Sequence, residues 1–174
     1  MNKAKFTVSA IPPLDLHRIR TAHHDDFGNP LTPIVNRNDD TPLRCCLRDA
    51  TPGEQIALIA YRPSDRGGPY AEVGPVFIHT ERCVGYPSIT EYPAGFRHRR
   101  QLFRAYDEAG QQVHNQIVEP GCIDSVLTDL IDRPDIAFIH SRNVLAGCYM
   151  FTITPIRAAT ATTSLPNARE LVHS

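Results

Sequence analysis

Cysteine and histidine, the side chains best suited to hold a transition metal, gather in the middle of the sequence. Cys45 and Cys46 precede one short apolar segment, and His79 and Cys83 follow the next one. Zinc prefers thiolate and imidazole ligands, and structural zinc sites generally take two close-spaced pairs of them from separate turns. The sequence therefore predicts a zinc site at Cys46, His79 and Cys83, with Cys45 as the fourth ligand. Because adjacent cysteines seldom bind one ion together, buried side chains without a metal are the alternative.

The sequence also contains residue types that would serve an enzyme acting on a small anionic substrate. A histidine would act as the acid or base, and an arginine would bind the anion. The pocket would lie between the loop at 67–75 and the loop at 140–147. The candidate residues for this activity are His79, His140, Arg62, Arg142, Glu72 and Cys148.

Cys148 has a second interpretation as a nucleophile. Together with His140 and Asn143 it provides the residue types of a thiol, its base and an orienting amide. All three would have to converge from one short loop. A β-turn that joins two strands explains this segment better, with Asn143 and Gly147 in the turn positions.

The composition excludes several classes of protein. Of the 174 residues 41% are hydrophobic and 21% are charged, which is typical of neither a disordered nor a membrane-spanning chain. The 18 Lys and Arg residues balance 19 Asp and Glu, and the formal net charge of −1 argues against a nucleic-acid partner. Five cysteines, an odd number, and an N-terminus without an apolar signal segment favour the reducing cytoplasm. A homo-oligomer is compatible with the sequence, and no membrane partner is expected.

Apolar periodicity predicts the elements that must position the candidate residues. Strands are expected at 5–11, 55–61, 75–80, 99–107, 112–118, 136–140 and 148–153. A period of 3.6 predicts one main helix at about 122–132, and a proline start predicts a short N-terminal helix at 14–22. We expect a single α+β domain over residues 1–155, with a mainly antiparallel or mixed sheet, followed by a flexible tail at 156–174.

Several short motifs between about residues 28 and 153 carry a resemblance. They are Gly28-Asn29-Pro30, Arg44-x-Cys46-Leu47-Arg48-Asp49, Pro52-Gly53-Glu54, Tyr61-Arg62-Pro63, Gly68-Pro69-Tyr70-Ala71-Glu72-x-Gly74-Pro75-x-Phe77-x-His79, Cys83, Arg104-Ala105-Tyr106, Arg133-Pro134-Asp135-x-Ala137-Phe138-x-His140-x-Arg142-Asn143 and Gly147-Cys148. Taken together, these motifs make the sequence resemble an uncharacterised bacterial family, domain of unknown function 1203. The family has no established activity, so the resemblance implies no reaction.

The resemblance has one implication for the zinc site. Members often carry a cysteine at the position of Leu43, which with Cys46, His79 and Cys83 implies a four-ligand zinc pattern. This sequence departs from the pattern there, so either Cys45 supplies the missing ligand or the site is absent. The function that we expect is a small cytosolic binding or structural module with a structural zinc ion. The alternative is the enzyme acting on a small anionic substrate.

Overall fold

Strands dominate residues 4–157, the part of the chain that the computed structural model describes. In chain order they are β1 (Phe6–Ser9), β2 (Ile34–Val35), β3 (Pro42–Leu43), β4 (Arg48–Asp49), β5 (Gln55–Tyr61), β6 (Gly74–His79), β7 (Gln101–Tyr106), β8 (Gln112–Val118), β9 (Phe138–Asn143) and β10 (Tyr149–Pro155). They form two five-stranded sheets. Sheet 1 has the order β1-β10-β9-β7-β8, and sheet 2 has the order β2-β5-β6-β3-β4.

Neighbouring strands are antiparallel with one exception. All pairs in sheet 1 are antiparallel. In sheet 2 the strands β3 and β6 run parallel, with Leu43 beside Phe77. A parallel pair needs a long connection between its two strands. Here the connection contains β4 and β5. Strand β5 is also the other neighbour of β6 in the sheet, so β6 lies between β5 and β3.

Two helices cover the sheets. The helix α1 (Pro13–Ala22) begins with a proline and buries Leu16 and Ile19 in the apolar core of sheet 2. The helix α2 (Ile123–Ile131) follows a short 3-10 turn at Pro120–Cys122. Its apolar positions are spaced at three and four residues, so they lie on one face, which packs into the core of sheet 1. Neither of these helices, nor any other in residues 4–157, is long and apolar enough to cross a membrane.

The two faces of sheet 1 have different surroundings. Phe103 and Ile139 lie on the face that packs in the same core as α2. Successive side chains of a strand alternate between faces, and the register places Arg104 directly opposite His140. Arg104, His140 and Arg142 therefore share the face away from α2. This second face carries the polar residues that the sequence singles out.

The architecture agrees with the α+β prediction in class and differs in the number of sheets. The predicted helices and hairpin are present within one or two residues of the predicted bounds. The strands expected in one sheet are divided between two, because alternation of apolar residues does not specify which strands pair. The flexible tail predicted at 156–174 lies outside the described residues from 158 onward.

Arg44 is a buried cation at the junction of the two sheets. Its side chain lies in the turn between β3 and β4 and is only 1% exposed. The guanidinium donates hydrogen bonds to the carbonyl oxygen of Tyr149 at 2.7 Å, to that of Pro42, and to the sulfur of Cys148 at 2.9 Å. Burial lowers the pKa of this guanidinium, and the contact with Cys148 opposes that effect. The Arg44 side chain therefore ties the β3–β4 turn of sheet 2 to the start of β10 in sheet 1.

We expect Arg44→Met to lower the free energy of unfolding by about 2–4 kcal/mol, because two buried carbonyl oxygens would lose their donor. Urea denaturation followed by circular dichroism would measure the loss. Arg100→Met, which removes an exposed ion pair with Glu119, is the control and should leave the midpoint nearly unchanged. Equal midpoints for the two variants would contradict the structural role of Arg44.

Candidate metal centre

Two adjacent cysteines occupy the tight turn between β3 and β4. The turn is closed by a hydrogen bond from the Leu47 amide to the Leu43 carbonyl oxygen at 3.0 Å. Leu47 adopts a left-handed backbone conformation with φ of 55°, which a residue with a side chain rarely does. In this turn the sulfur atoms of Cys45 and Cys46 lie 3.9 Å apart. In this turn the side chains of Cys45 and Cys46 thus lie close together although the two residues are adjacent in the sequence.

The parallel pairing of β3 with β6 brings His79 to these cysteines. Because Leu43 lies beside Phe77, the residues two positions further along, Cys45 and His79, are also neighbours. The His79 amide donates a hydrogen bond to the Cys45 sulfur at 3.3 Å. The Nδ1 atom of His79 lies 3.4 Å from the Cys45 sulfur and 3.8 Å from the Cys46 sulfur.

Cys83 completes the group from the loop after β6. The ligand atoms of Cys45, Cys46, His79 and Cys83 all lie within 4.8 Å of one another. Around a tetrahedral zinc ion, two sulfurs would be about 3.8 Å apart, and a sulfur and a nitrogen about 3.6 Å apart. The separations of 3.9, 3.4 and 3.8 Å among Cys45, Cys46 and His79 are close to these values. These four residues, the Cys/His cluster, could therefore hold a metal ion.

The contacts within the cluster shift the pKa values of its members in different directions. Hydrogen bonds from Cys45, Cys46 and His79 hold the pKa of the Cys83 thiol far below its usual range. The hydrogen bond with Cys45 raises the pKa of the Cys46 thiol, and burial adds to this effect. Contact with the sulfurs of Cys45 and Cys83 raises the pKa of His79 to about 10, against the effect of burial. Metal binding requires deprotonated ligands, so an ion would displace these protons.

A carboxylate orients the His79 ring from the other side. The Glu54 carboxylate lies 3.3 Å from Nε2 of His79, while Nδ1 faces the thiols. Arg48 holds this carboxylate with two hydrogen bonds, at 2.9 and 2.5 Å, and the Thr51 amide donates a third at 2.7 Å. The arginine hydrogen bonds lower the pKa of Glu54 to about 2. A carboxylate behind a histidine is a common support of metal-binding imidazoles.

Sequence reasoning did not assign Glu54 to the site. The segment Thr51-Pro52-Gly53-Glu54 is recognisable as a turn, and the structure has a turn there, with the Glu54 amide bonded to the Thr51 carbonyl oxygen at 3.2 Å. The sequence feature that could have indicated its role is a carboxylate at the end of a turn that leads directly into β5, which is a neighbour of β6 in sheet 2. Only the three-dimensional register shows that it reaches His79.

A cavity of about 770 Å³ adjoins the cluster on one side. Cys45 and Cys83 form part of its wall, together with the segment from β1 into α1 and the loop around Tyr86. Cys83 is only partly buried, whereas Cys45 and Cys46 are buried. The cavity provides an entry path for an ion to an otherwise enclosed group of ligands.

Of the six residues proposed for an enzyme, His79 and Arg62 lie apart, whereas Glu72, His140 and Arg142 line one small cavity. His79 belongs to the Cys/His cluster, and the Arg62 guanidinium lies over the ring of Phe27 at 5.7 Å. Glu72 forms ion pairs with Arg104, at 2.5 Å, and with Arg142. Cys148 accepts the hydrogen bond from Arg44 and lines a cavity together with Glu72 and both of its arginine partners.

His140 is enclosed by aromatic rings. Its ring centroid lies 5.0 Å from that of Tyr106, 5.1 Å from that of Phe138 and 5.3 Å from that of Tyr149. The residue is 4% exposed, and its Nδ1 atom has no hydrogen-bond partner among the described residues. Burial lowers the pKa of His140 to about 3, and the charges of Arg142 and Arg104 contribute. The imidazole is therefore neutral and is a poor proton acceptor at neutral pH.

Comparison with known proteins gives a family and no activity. The family model described as "Protein of unknown function (DUF1203)" matches residues 40–155, a range that contains the whole Cys/His cluster. No curated protein and no solved structure matches the chain.

We expect His140 to make the fold sensitive to acid. Its pKa is near 6.5 in the unfolded chain and about 3 in the folded one, so below pH 6.5 only the unfolded state takes up the proton. Stability is therefore lost as the pH falls. Between pH 7 and pH 5 this residue should account for about 2 kcal/mol of the decrease in unfolding free energy.

His140→Phe should remove that part of the pH dependence, measured by urea denaturation at pH 7 and pH 5. His17→Gln changes an exposed histidine of α1 and should retain the dependence of the unmodified protein. The assignment fails when His140→Phe loses as much stability between the two pH values as His17→Gln does.

Proposed function

Because the chain belongs to the DUF1203 family of proteins of unknown function, we propose a function from its own geometry: the protein binds one zinc ion through Cys45, Cys46, His79 and Cys83. The observation that carries the proposal is the convergence of four ligand atoms within 4.8 Å from three separate segments. The segments are the β3–β4 turn, the end of β6 and the loop that follows it. No other group of three or more metal-binding side chains is found in residues 4–157.

The types of ligand favour zinc over magnesium and calcium. Three sulfurs and one imidazole nitrogen form a soft ligand set without oxygen, which suits neither magnesium nor calcium. Four protein ligands complete a tetrahedron, which is typical of structural zinc sites, whereas catalytic zinc sites leave one position open for water or substrate. The proposed ion is therefore structural.

A structural ion would stabilise the part of sheet 2 that has the least regular structure. The strands β3 and β4 have two residues each, and the loop after β6 has no strand or helix before Ala94. The ion would fasten the turn, the strand end and the loop to one another. Because such a site exists only in the folded chain, its binding free energy would add to the stability of the fold.

The proposal also bears on the compartment and on the class of protein. Zinc binding requires Cys45, Cys46 and Cys83 as thiolates, and all five cysteines of the chain are free. A reducing compartment such as the cytoplasm preserves that state. We infer a small zinc-stabilised binding or structural module there, with residues 1–155 as its single domain.

Zinc content is the direct test. The purified protein should contain about one zinc ion per chain by elemental analysis, and Cys46→Ser should contain far less. Cys122→Ser is the matched control, because Cys122 is exposed and lies outside the cluster, and it should retain the full content. Negligible zinc in the unmodified protein, even after refolding with zinc under reducing conditions, would refute the proposal.

Metal removal tests the structural role without a variant. Treatment with a strong chelator should lower the thermal midpoint of the unmodified protein, and added zinc should restore it, because the ion binds only the folded state. A midpoint that does not change when zinc leaves would show that the ion has no structural role.

We expect Glu54→Gln to weaken zinc binding about 10- to 100-fold, because the amide supports the His79 ring less well than the carboxylate does. Competition with a chromophoric chelator measures the affinity. Glu81→Gln removes an exposed carboxylate two residues from Cys83 and should change the affinity little. Equal effects of the two substitutions would indicate that general negative charge, and not contact with His79, is responsible.

A further inference from the structure

A second cavity, of about 420 Å³, lies on the face of sheet 1 away from α2. We call it the arginine cavity, because Arg104 of β7 and Arg142 of β9 are in its wall. The segment at 71–75, which runs into β6, and the start of β10 line it on other sides. Its volume falls within the range of about 300–1,000 Å³ that is usual for small-molecule sites.

The charges around this cavity are unbalanced. The guanidinium groups of Arg104 and Arg142 share one carboxylate, that of Glu72. The nearby His140 is neutral, so it adds no charge, and the side chain of Arg142 is only 6% exposed. The Nε atom of Arg142 is buried and has no hydrogen-bond partner among the described residues. The wall therefore has an excess positive charge.

Glu72 is attached to this pair of arginines by a segment without regular structure. Residues 62–73 contain no helix or strand, and Glu72 is partly exposed. Its carboxylate can leave the arginines without any strand being broken. The planar guanidinium group of arginine is well suited to bind a carboxylate. The ion pairs of Glu72 show that a carboxylate fits against Arg104 and Arg142.

Two tyrosine rings and several aliphatic side chains contribute apolar surface to the wall. Tyr61 and Tyr149 contact each other, with ring centroids 5.8 Å apart, and both line the arginine cavity. Val73 and Pro75 add aliphatic surface beside Glu72. A ligand with a carboxylate at one end and an apolar body would contact both kinds of wall.

We propose that the arginine cavity binds a small organic acid with an apolar body, whose carboxylate replaces that of Glu72 on Arg104 and Arg142. In the free protein Glu72 occupies the position of the ligand carboxylate and competes with it. The site does not depend on the zinc ion, because none of the four cluster residues lines this cavity.

Benzoate is the probe for the test, with benzamide as its uncharged analogue of the same shape. Glu72→Gln removes the competing carboxylate, so it should bind benzoate at least about tenfold more tightly than the unmodified protein, while benzamide should not distinguish them. Adding Arg104→Gln to this variant should abolish the gain. Glu108→Gln, which removes the exposed partner of Arg66, is the control and should bind benzoate like the unmodified protein. Calorimetric titration measures each affinity.

Three outcomes of the titration would overturn the proposal. One is a folded Glu72→Gln protein that binds benzoate no better than Glu108→Gln does. Another is an equal gain in affinity for benzamide, which would show that binding depends on apolar contacts and not on the carboxylate. The third is equal gain for inorganic phosphate, which would show a general anion site and not a carboxylate site.

Cys148 offers a test in the unmodified protein, because it is a partly buried cysteine that lines the same cavity. Iodoacetate carries a carboxylate and iodoacetamide does not, so the ratio of their alkylation rates reports attraction of a carboxylate. Peptide mass spectrometry should show this ratio to be at least about threefold higher at Cys148 than at the exposed Cys122, and benzoate should slow the reaction at Cys148 only. Equal ratios at the two cysteines, with no protection by benzoate, would overturn the proposal even if Glu72→Gln failed to fold.

Discussion

The burial of one guanidinium, that of Arg44, determines how the two sheets meet. A charge this far from water is tolerated only with several hydrogen bonds, and the acceptors come from both sheets. The backbone of the same residue makes two further contacts, with its amide donating to Phe77 and its carbonyl oxygen accepting from Ile11. Side chain and backbone together fix the β3–β4 turn against β6, β10 and the segment that leads into α1. Because Cys45 and Cys46 directly follow Arg44 in the chain, these contacts also position the two cysteines.

Both proposed sites adjoin this residue, and they differ in charge. The Cys/His cluster gathers thiols, which bind a metal as anions. In the arginine cavity, Arg104 and Arg142 gather positive charge around one carboxylate. Arg44 contacts the cysteine of the second site, Cys148, and directly precedes the cysteines of the first.

Local features of the sequence were predictable because they depend on near neighbours. The apolar run of β5 and the 3.6-residue period of α2 reflect burial of one element at a time, and both elements were predicted nearly to the residue. The four residues of the Cys/His cluster were predicted from ligand type and spacing. Their convergence was not derivable, because it depends on the parallel pairing of β3 with β6 and on the left-handed conformation of Leu47. Long-range contacts could not be predicted for the same reason: the ion pair of Glu72 with Arg104 joins residues 32 positions apart in the chain.

The parallel pair of β3 and β6 also constrains the order of folding. Cys45 and His79 are 34 residues apart, and the segment between them contains β4 and β5. Closing a loop of that length costs chain entropy that only late, non-local contacts repay. Cys45 and Cys46 are the only adjacent pair in the cluster, so an unfolded chain offers an ion two thiols at most in one place. Binding of the proposed ion by all four residues would therefore have to await the pairing of β3 with β6.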